Sequence, residues 1–462
     1  VRTVLTAIAV AALAVLTALA VTVLPFYDSS RDRVTLPLMI GGSWLLFALA
    51  VWLLRRVPTR AAVTLVLVGA VAIGGAAMAG PPNTSTDSAR YAWDGIVQNA
   101  GISPYAHVPT DPALAALRPS WLFPAPVTRA DGTVGCPGPA ARIMASTEPG
   151  GATLVCTAIN RATVPTIYPP TAELLFAGVR ALVPREAGYW PMQLLGLLAS
   201  LGITVILLLA LRRRGLDPRW AALWAWCPLV AGEAVTNSHI DSVGAGLLLV
   251  ATLAVATGQR WSGGVALGAA IATKLIPVIG VPALLRRQPW KLVIASVTTF
   301  LLLYLPYLIS SGPAVLGYLP GYLSEEGYDD GSRFALISVV ARGRTAFVVA
   351  AVLLVVLAVL VALKTDPRAP WVGQLVMIGV TLLIVSPRYP WYGLLLVPFV
   401  AMSGRWEWLA VPLALLARQL EPHLVVLRVG ELLAITLIVL VGLARSGPPR
   451  REWFRLRGGF GR

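Results

Sequence analysis

The stretch QLLGLLASLGITVILLLAL, residues 193–211, carries no charged side chain and stops at Arg212, Arg213 and Arg214. A helix of roughly 20 apolar residues spans the ~30 Å hydrocarbon core of a bilayer. Runs of similar character recur on both sides, at 3–25, 35–54, 60–79, 219–236, 240–258, 291–310, 344–363, 371–386, 390–403, 405–418 and 427–444. Residues 262–285 are also apolar but are interrupted by Lys274, Pro277 and Pro282, with Arg260 before them and Arg286 and Arg287 after. That segment reads as one helix or two half-helices, and basic residues at both ends favour a broken or re-entrant pair. The expected fold is all-α: a polytopic integral membrane protein of about 12 to 13 transmembrane helices with one broken segment and one long outer loop. The run at 3–25 has no small-residue cleavage site followed by a soluble domain, so it is expected to stay as a helix.

Composition agrees. Of 462 residues, 57% are hydrophobic and 13% charged, and the mean hydropathy is +0.76, a balance outside the range of soluble domains. The net charge of +16 does not point to nucleic acid, because the basic residues sit in short clusters between apolar runs. There they set orientation and meet anionic lipid headgroups. Lys274, Lys291 and Lys364 are the only lysines among 37 basic residues, an Arg-heavy usage expected of a GC-rich bacterial genome. With the N-terminus inside, cytoplasmic segments hold 21 of the 37 basic residues and the short outer loops hold 8. Both termini are therefore expected in the cytoplasm, with the chain in a bacterial plasma membrane. Four segments follow: N-terminal helices at 1–79, a long outer loop at 80–187, a helical core at 188–445 and a basic tail at 446–462.

An outer loop that long is functional or disordered. It contains Cys136 and Cys156, whereas Cys227 lies in an apolar run. An oxidising outer compartment lets Cys136 and Cys156 pair, and closing a loop of about 20 residues stabilises by roughly 3 kcal/mol. His107, His239 and His423 are scattered and no metal-ligand spacing occurs, so no metal site is expected. No cofactor is called for, although a divalent cation stays open.

Chemistry is expected at the entrance to this loop, in Thr86-Asp87-Ser88-Ala89-Arg90-Tyr91-Ala92-Trp93-Asp94-Gly95-Ile96-Val97-Gln98. Read as a helix capped by Thr86, it places Asp87, Tyr91, Asp94 and Gln98 on one face. An aromatic-rich amphipathic helix beside a membrane exit lies in the interface, which holds its carboxylates at headgroup depth. A base acting on a sugar hydroxyl must sit there if the donor is a lipid phosphate. On spacing alone, Asp87 and Asp94 read equally well as solvating acids of a surface helix.

The run from Asp87 through Gly101-Ile102-Ser103-Pro104-Tyr105, then Thr166-Ile167-Tyr168-Pro169-Pro170, resembles the first outer loop of C-type-fold (GT-C) membrane glycosyltransferases. Its closest resemblance is to the family 87 polyprenol-phosphate-mannose-dependent mannosyltransferases of actinobacteria. Asn237-Ser238-His239-Ile240-Asp241, Ala272-Thr273-Lys274-Leu275-Ile276-Pro277 and Ser386-Pro387-Arg388-Tyr389-Pro390-Trp391-Tyr392 fit the same pattern in order. The chain departs from it by two extra helices before the loop and a longer insert between Tyr105 and Tyr168. The resemblance implies transfer of a hexose, mannose by family, from a polyprenyl-phosphate donor to a lipid or glycan acceptor on the outer face, with inversion. It maps the general base onto Asp87, with Asp94 orienting the acceptor or sharing the role. Tyr91, Gln98, Tyr105, Tyr168, His239, Asp241, Lys274, Arg388 and Tyr389 are the substrate-binding candidates.

Each has a plainer alternative. Asn237 or Ser238 reads as an ordinary helix cap beside His239 and Asp241. Lys274 in an apolar segment needs a phosphate or a carboxylate partner unless it snorkels. Arg388 suits bidentate phosphate contact and equally an interfacial anchor. The acidic run Glu325, Glu326, Asp329 and Asp330 reads as solvated loop. A lipid-linked-sugar transporter or flippase is the competing class, although only one broken segment is visible where transporters use pairs. A glycan polymerase or ligase is the third reading.

Overall fold

The structure is a computed structural model that describes residues 1–27, 32–148, 151–328 and 330–446. The basic tail expected at 446–462 lies outside the described residues apart from Ser446. The first three apolar runs form α1 (Arg2–Val23), α2 (Thr35–Leu54) and α3 (Thr59–Ala76). Within the segment at 80–187 lie α4 (Asp87–Asn99) and α5 (Pro170–Ala181), and the run at 193–211 falls in α6 (Trp190–Arg213). Pro191 occupies the first turn of α6, where its missing N–H breaks no hydrogen bond. Arg212 and Arg213 occupy the last turn, where cations suit the negative end of the helix dipole.

After the short α7 (Ala222–Ala225), a π-type turn at Val230–Thr236 is bent by 111° from α8 (Asp241–Ala256). Two independent spans were expected here. The break at Asn237–Ile240 instead delivers the sequence motif to the end of the bundle, and a π-turn of this kind often marks a functional position. Gly196 of α6 makes the approach possible, because a Cβ there would collide with the Ala234 carbonyl. Next, α9 (Arg260–Ile271) stops before Lys274 and resumes as a tighter 3-10 turn at Ile276–Leu284, the broken pair expected around Lys274 and Pro277. The remaining helices are α10 (Pro289–Ser311), α11 (Leu319–Glu325), α12 (Gly343–Lys364), α13 (Pro370–Val385), α14 (Val397–Ser403), α15 (Ala410–Leu420) and α16 (Leu424–Ser446).

Among the described residues, seven helices are long and apolar enough to cross a membrane, or eight if the bent pair is one span. This is fewer than the 12 to 13 expected from counting runs, because 371–386, 390–403 and 405–418 fold into the shorter α13, α14 and α15, and 219–236 and 262–285 break into short pieces. The helices α10, α12 and α16 present exposed Leu301, Val355 and Leu433 on their outer faces, an apolar surface that only lipid solvates cheaply. Inside, Trp224, Trp226, Phe399 and Met402 are fully buried in one central core. The chain is thus a multi-pass membrane protein.

The segment at 80–187 is more structured than an all-α reading allows. It carries two antiparallel hairpins, β1 (Val127–Thr128) with β2 (Val134–Gly135) and β3 (Arg142–Glu148) with β4 (Gly151–Thr157). In the second, Ile143 pairs with Cys156, and Cys156 is disulfide-bonded to Cys136 as expected. This insert packs Leu114, Leu122 and Ile159 against Ala89, Trp93 and Val97 of α4. Consequently α4 is buried along Ser88–Val97 and does not lie in the lipid interface.

Candidate functional site

A cavity of about 1160 Å³ lies where α1, α3, α13 and α15 end. Asp87 opens into it from the first residue of α4. Thr86 does not cap that helix with its side chain; its hydroxyl donates to Asn160 Oδ1 at 3.1 Å, and Asn160 Nδ2 donates to Asp87 Oδ1 at 2.9 Å. The second carboxylate oxygen lies 3.5 Å from the Tyr168 hydroxyl and 3.6 Å from His239 Nε2. His239 is fully buried, stacked on Trp391 with ring centroids 4.0 Å apart, and its Nδ1 sits 3.0 Å from Glu233 Oε2. Burial by itself would raise the Asp87 pKa. The hydrogen bond and charge of His239, the Asn160 amide and the charge of Lys274 outweigh it and hold the carboxyl at about 2.

Lys274, in the gap between α9 and the 3-10 turn, places Nζ 2.7 Å from Asp241 Oδ2 and 5.0 Å from the centre of the Tyr392 ring. The expected buried carboxylate partner is thus Asp241, at the first turn of α8. Asn237 caps nothing: its Oδ1 accepts from the backbone N–H groups of Asn83 and Thr84, which ties the broken span to the approach to α4. Two arginines that the sequence did not single out also line the cavity. Arg161, in a left-handed backbone conformation (φ 54°), pairs with Glu325 at 2.7 Å, and buried Arg333 pairs with Glu326. The acidic run read as solvated loop therefore supplies two ion-pair partners, while Asp330 is exposed and Asp329 lies outside the described residues. Tyr389 lines the cavity and stacks on Trp391 at 4.3 Å.

Several expected site residues do not face the cavity. Asp94 is buried and clamped by Arg90 Nε at 2.9 and 3.0 Å, so its carboxylate is a partner for an internal cation and has no access to a substrate. Gln98 donates to Glu173 at 2.7 Å and accepts from the Tyr307 hydroxyl at 2.7 Å. Burial first, and then the Asp94 charge, push Glu173 well above the usual carboxyl range. Tyr91 fills the space between Tyr168 and Phe176, and Tyr105 donates to the Tyr168 carbonyl at 2.5 Å. All four lie behind the cavity wall, Asp94 behind Arg90 and the others around Tyr168 and α5. Arg388 is exposed and is not part of the cavity wall. Of the residues that sequence reasoning missed, Glu233 had a legible signal, since an acid inside an apolar run asks for a partner. Asn160 and Arg161 had none, because their contacts arise from an insert folding back over 70 or more residues. Among the described residues no group of three or more His, Cys, Asp and Glu side chains is arranged to hold a metal ion.

Beyond Lys274 the cavity turns apolar, lined by Ile276, Ile279, Leu354, Leu382 and Val385. Leu354 lies about 11 residues into α12, roughly 16 Å along its axis, or about half the depth of a ~30 Å hydrocarbon core. Fold and cavity together define a multi-pass membrane protein in which a charged chamber at one end of the bundle leads into an apolar arm of lipid depth. Residues 166–387 match the model of glycosyltransferase family 87. The match covers 222 of the 462 residues and supports a family 87 membrane glycosyltransferase. The matched region includes Tyr168, His239, Asp241 and Lys274, whereas Asp87 and Arg388 fall outside it. No curated protein and no solved structure matches the chain.

Proposed function

We propose that the protein transfers mannose from a polyprenyl-phosphate donor to a hydroxyl of a lipid or glycan acceptor on the outer face of a bacterial plasma membrane, with inversion. The observation that carries this reading is the continuity of the Asp87–Lys274 chamber with the apolar arm that reaches Leu354. A prenyl chain fits that arm and holds its phosphate near Lys274, whereas a nucleotide sugar has no use for it. The acceptor oxygen attacks the anomeric carbon as the carbon–oxygen bond to the phosphate breaks. Its proton passes to the Asp87 carboxylate, and the bonding pair leaves with the prenyl phosphate. A carboxylate held at about 2 is ionised at any working pH; it is a weak base, suited to a hydroxyl that becomes acidic as its bond to carbon forms. Lys274 offsets charge on the leaving phosphate, and Arg161 and Arg333 take the part first assigned to Arg388. His239, between Glu233 and Asp87, fixes the base.

The test compares mannosyl phosphates of long and short prenyl chains as donors for the reconstituted protein, with a nucleotide sugar as control. Leu354→Trp should raise KM for the long-chain donor by about tenfold or more and leave the short-chain donor little changed, because the block lies deep in the arm. Equal effects on both chain lengths, or turnover of the nucleotide sugar alone, would sink the donor assignment.

A further inference from the structure

The connection from α10 to α12 crosses the cavity wall. Its helix α11 gives that wall three side chains, Leu319, Tyr322 and Leu323. None of the described side chains of α11 is fully buried, and Leu323 is 44% exposed. The helix is therefore a single layer, with the chamber on one side and the surroundings on the other. A segment with so little burial opens locally at low free energy.

The chain on either side of α11 is fixed. Gly317 holds a left-handed conformation (φ 53°) against the Thr166 carbonyl, and a Cβ there would collide with that oxygen. Glu326, immediately after α11, is buried and paired with buried Arg333. Between these points side-chain ties hold the helix down. Among them, the Tyr322 and Tyr392 hydroxyls share a hydrogen bond of 2.7 Å. Glu325 Oε2 accepts from Arg161 Nε at 2.7 Å, while its Oε1 accepts from the Tyr318 hydroxyl at 2.5 Å. The Arg161 guanidinium also lies over the Tyr322 ring, 5.2 Å from its centre.

The two ion pairs differ in how readily they part. Separating Arg333 from Glu326 would strand a buried charge. Arg161 and Glu325 are 33% and 41% exposed, so solvent screens their attraction and the pair exchanges partners easily. A guanidinium binds phosphate and carboxylate oxygens with the same planar fork. A phosphate entering the chamber that Arg161 lines thus competes with Glu325. We infer that α11 is a flap over the chamber and that Arg161–Glu325 is its latch, released when a substrate phosphate takes the guanidinium from Glu325. That the phosphate is a prenyl phosphate rests on the donor reading given above. Because coupling is reciprocal, a change that opens the flap must also tighten phosphate binding.

Spin labels on Leu323→Cys in α11 and on Ala115→Cys, an exposed position of the insert, report the flap in the full-length protein in nanodiscs. Cys227 is buried and stays unlabelled. Prenyl phosphate without sugar, and millimolar inorganic phosphate, should each lengthen the distance between the labels, and the prenol without phosphate should not. Glu325→Gln should lengthen it with no ligand present and should tighten prenyl-phosphate binding by roughly two- to fivefold, the range for losing a competing exposed pair. Glu325→Asp keeps the charge and should stay nearer the wild type in both readouts. An unchanged distance in Glu325→Gln, equal or weaker prenyl-phosphate binding in that variant, or a response to prenol as large as that to prenyl phosphate overturns the inference. If the wild type binds no prenyl phosphate, the donor reading fails separately, and the distances in Glu325→Gln and with inorganic phosphate still decide the latch.

Discussion

Replacing Asp87 and Asp94 in turn by Asn separates chemistry from architecture, because the two carboxylates of α4 sit in opposite settings. Asp87 is partly open to the cavity, with 18% of its side chain exposed. Its shift from the usual 3.8 to about 2 corresponds to a stabilisation of about 2 kcal/mol. The folded-state pKa is depressed, so that contribution is present above the ordinary carboxylate range and is lost as pH falls from about 4 towards 2. Asp87→Asn removes at most this amount, and folding should survive. Turnover should fall by roughly 100- to 10,000-fold, the usual range for losing a general base. Asp94→Asn discharges the buried partner of Arg90, and breaking a buried pair costs about 3–5 kcal/mol, moderated here because the Asn oxygen still accepts one hydrogen bond. Its signature should be a lowered melting temperature, with near-normal turnover per folded molecule at low temperature. Donor-dependent turnover and fluorescence-monitored melting of both variants give the comparison. An Asp87→Asn protein with near-normal turnover, beside an Asp94→Asn protein that melts normally and is inactive, would transfer the base to Asp94 and refute the reading of the cavity.

Three further outcomes are expected. Lys274→Met leaves the buried Asp241 carboxylate without its 2.7 Å partner, so donor KM should rise and melting temperature fall together; loss of neither would make Lys274 a bystander. Asn160→Ala removes a hydrogen bond that favours ionised Asp87, so the acid limb of the kcat/KM profile should move upward in pH, while a merely structural role would lower activity with no shift of that limb. Cys136→Ser opens the loop closed across 20 positions and should lower stability by up to roughly 3 kcal/mol, read as earlier thermal unfolding and faster proteolysis within the insert.

Legibility in the sequence followed the range of the interaction. The start of α4 at Asp87, the break around Lys274 and the pairing of Cys136 with Cys156 depend on neighbours close in the chain, and all three are readable. The 111° bend before α8 is not, since Val230–Thr236 and Asp241–Ala256 are each apolar and composition does not encode the angle between them. Burial of α4 is hidden from the local sequence for a related reason. Trp93 and Val97 look like an interfacial face until the insert covers them with Leu114 and Ile159. The same insert supplies Asn160 to Asp87, so the part that buries α4 also completes the candidate site. Arg388 and Arg333 show the converse. Both are arginines near turns, but Glu326 draws only Arg333 into the protein, and no local pattern distinguishes them. A motif names residue types; which arginine reaches the cavity is decided by the carboxylate that pairs with it there.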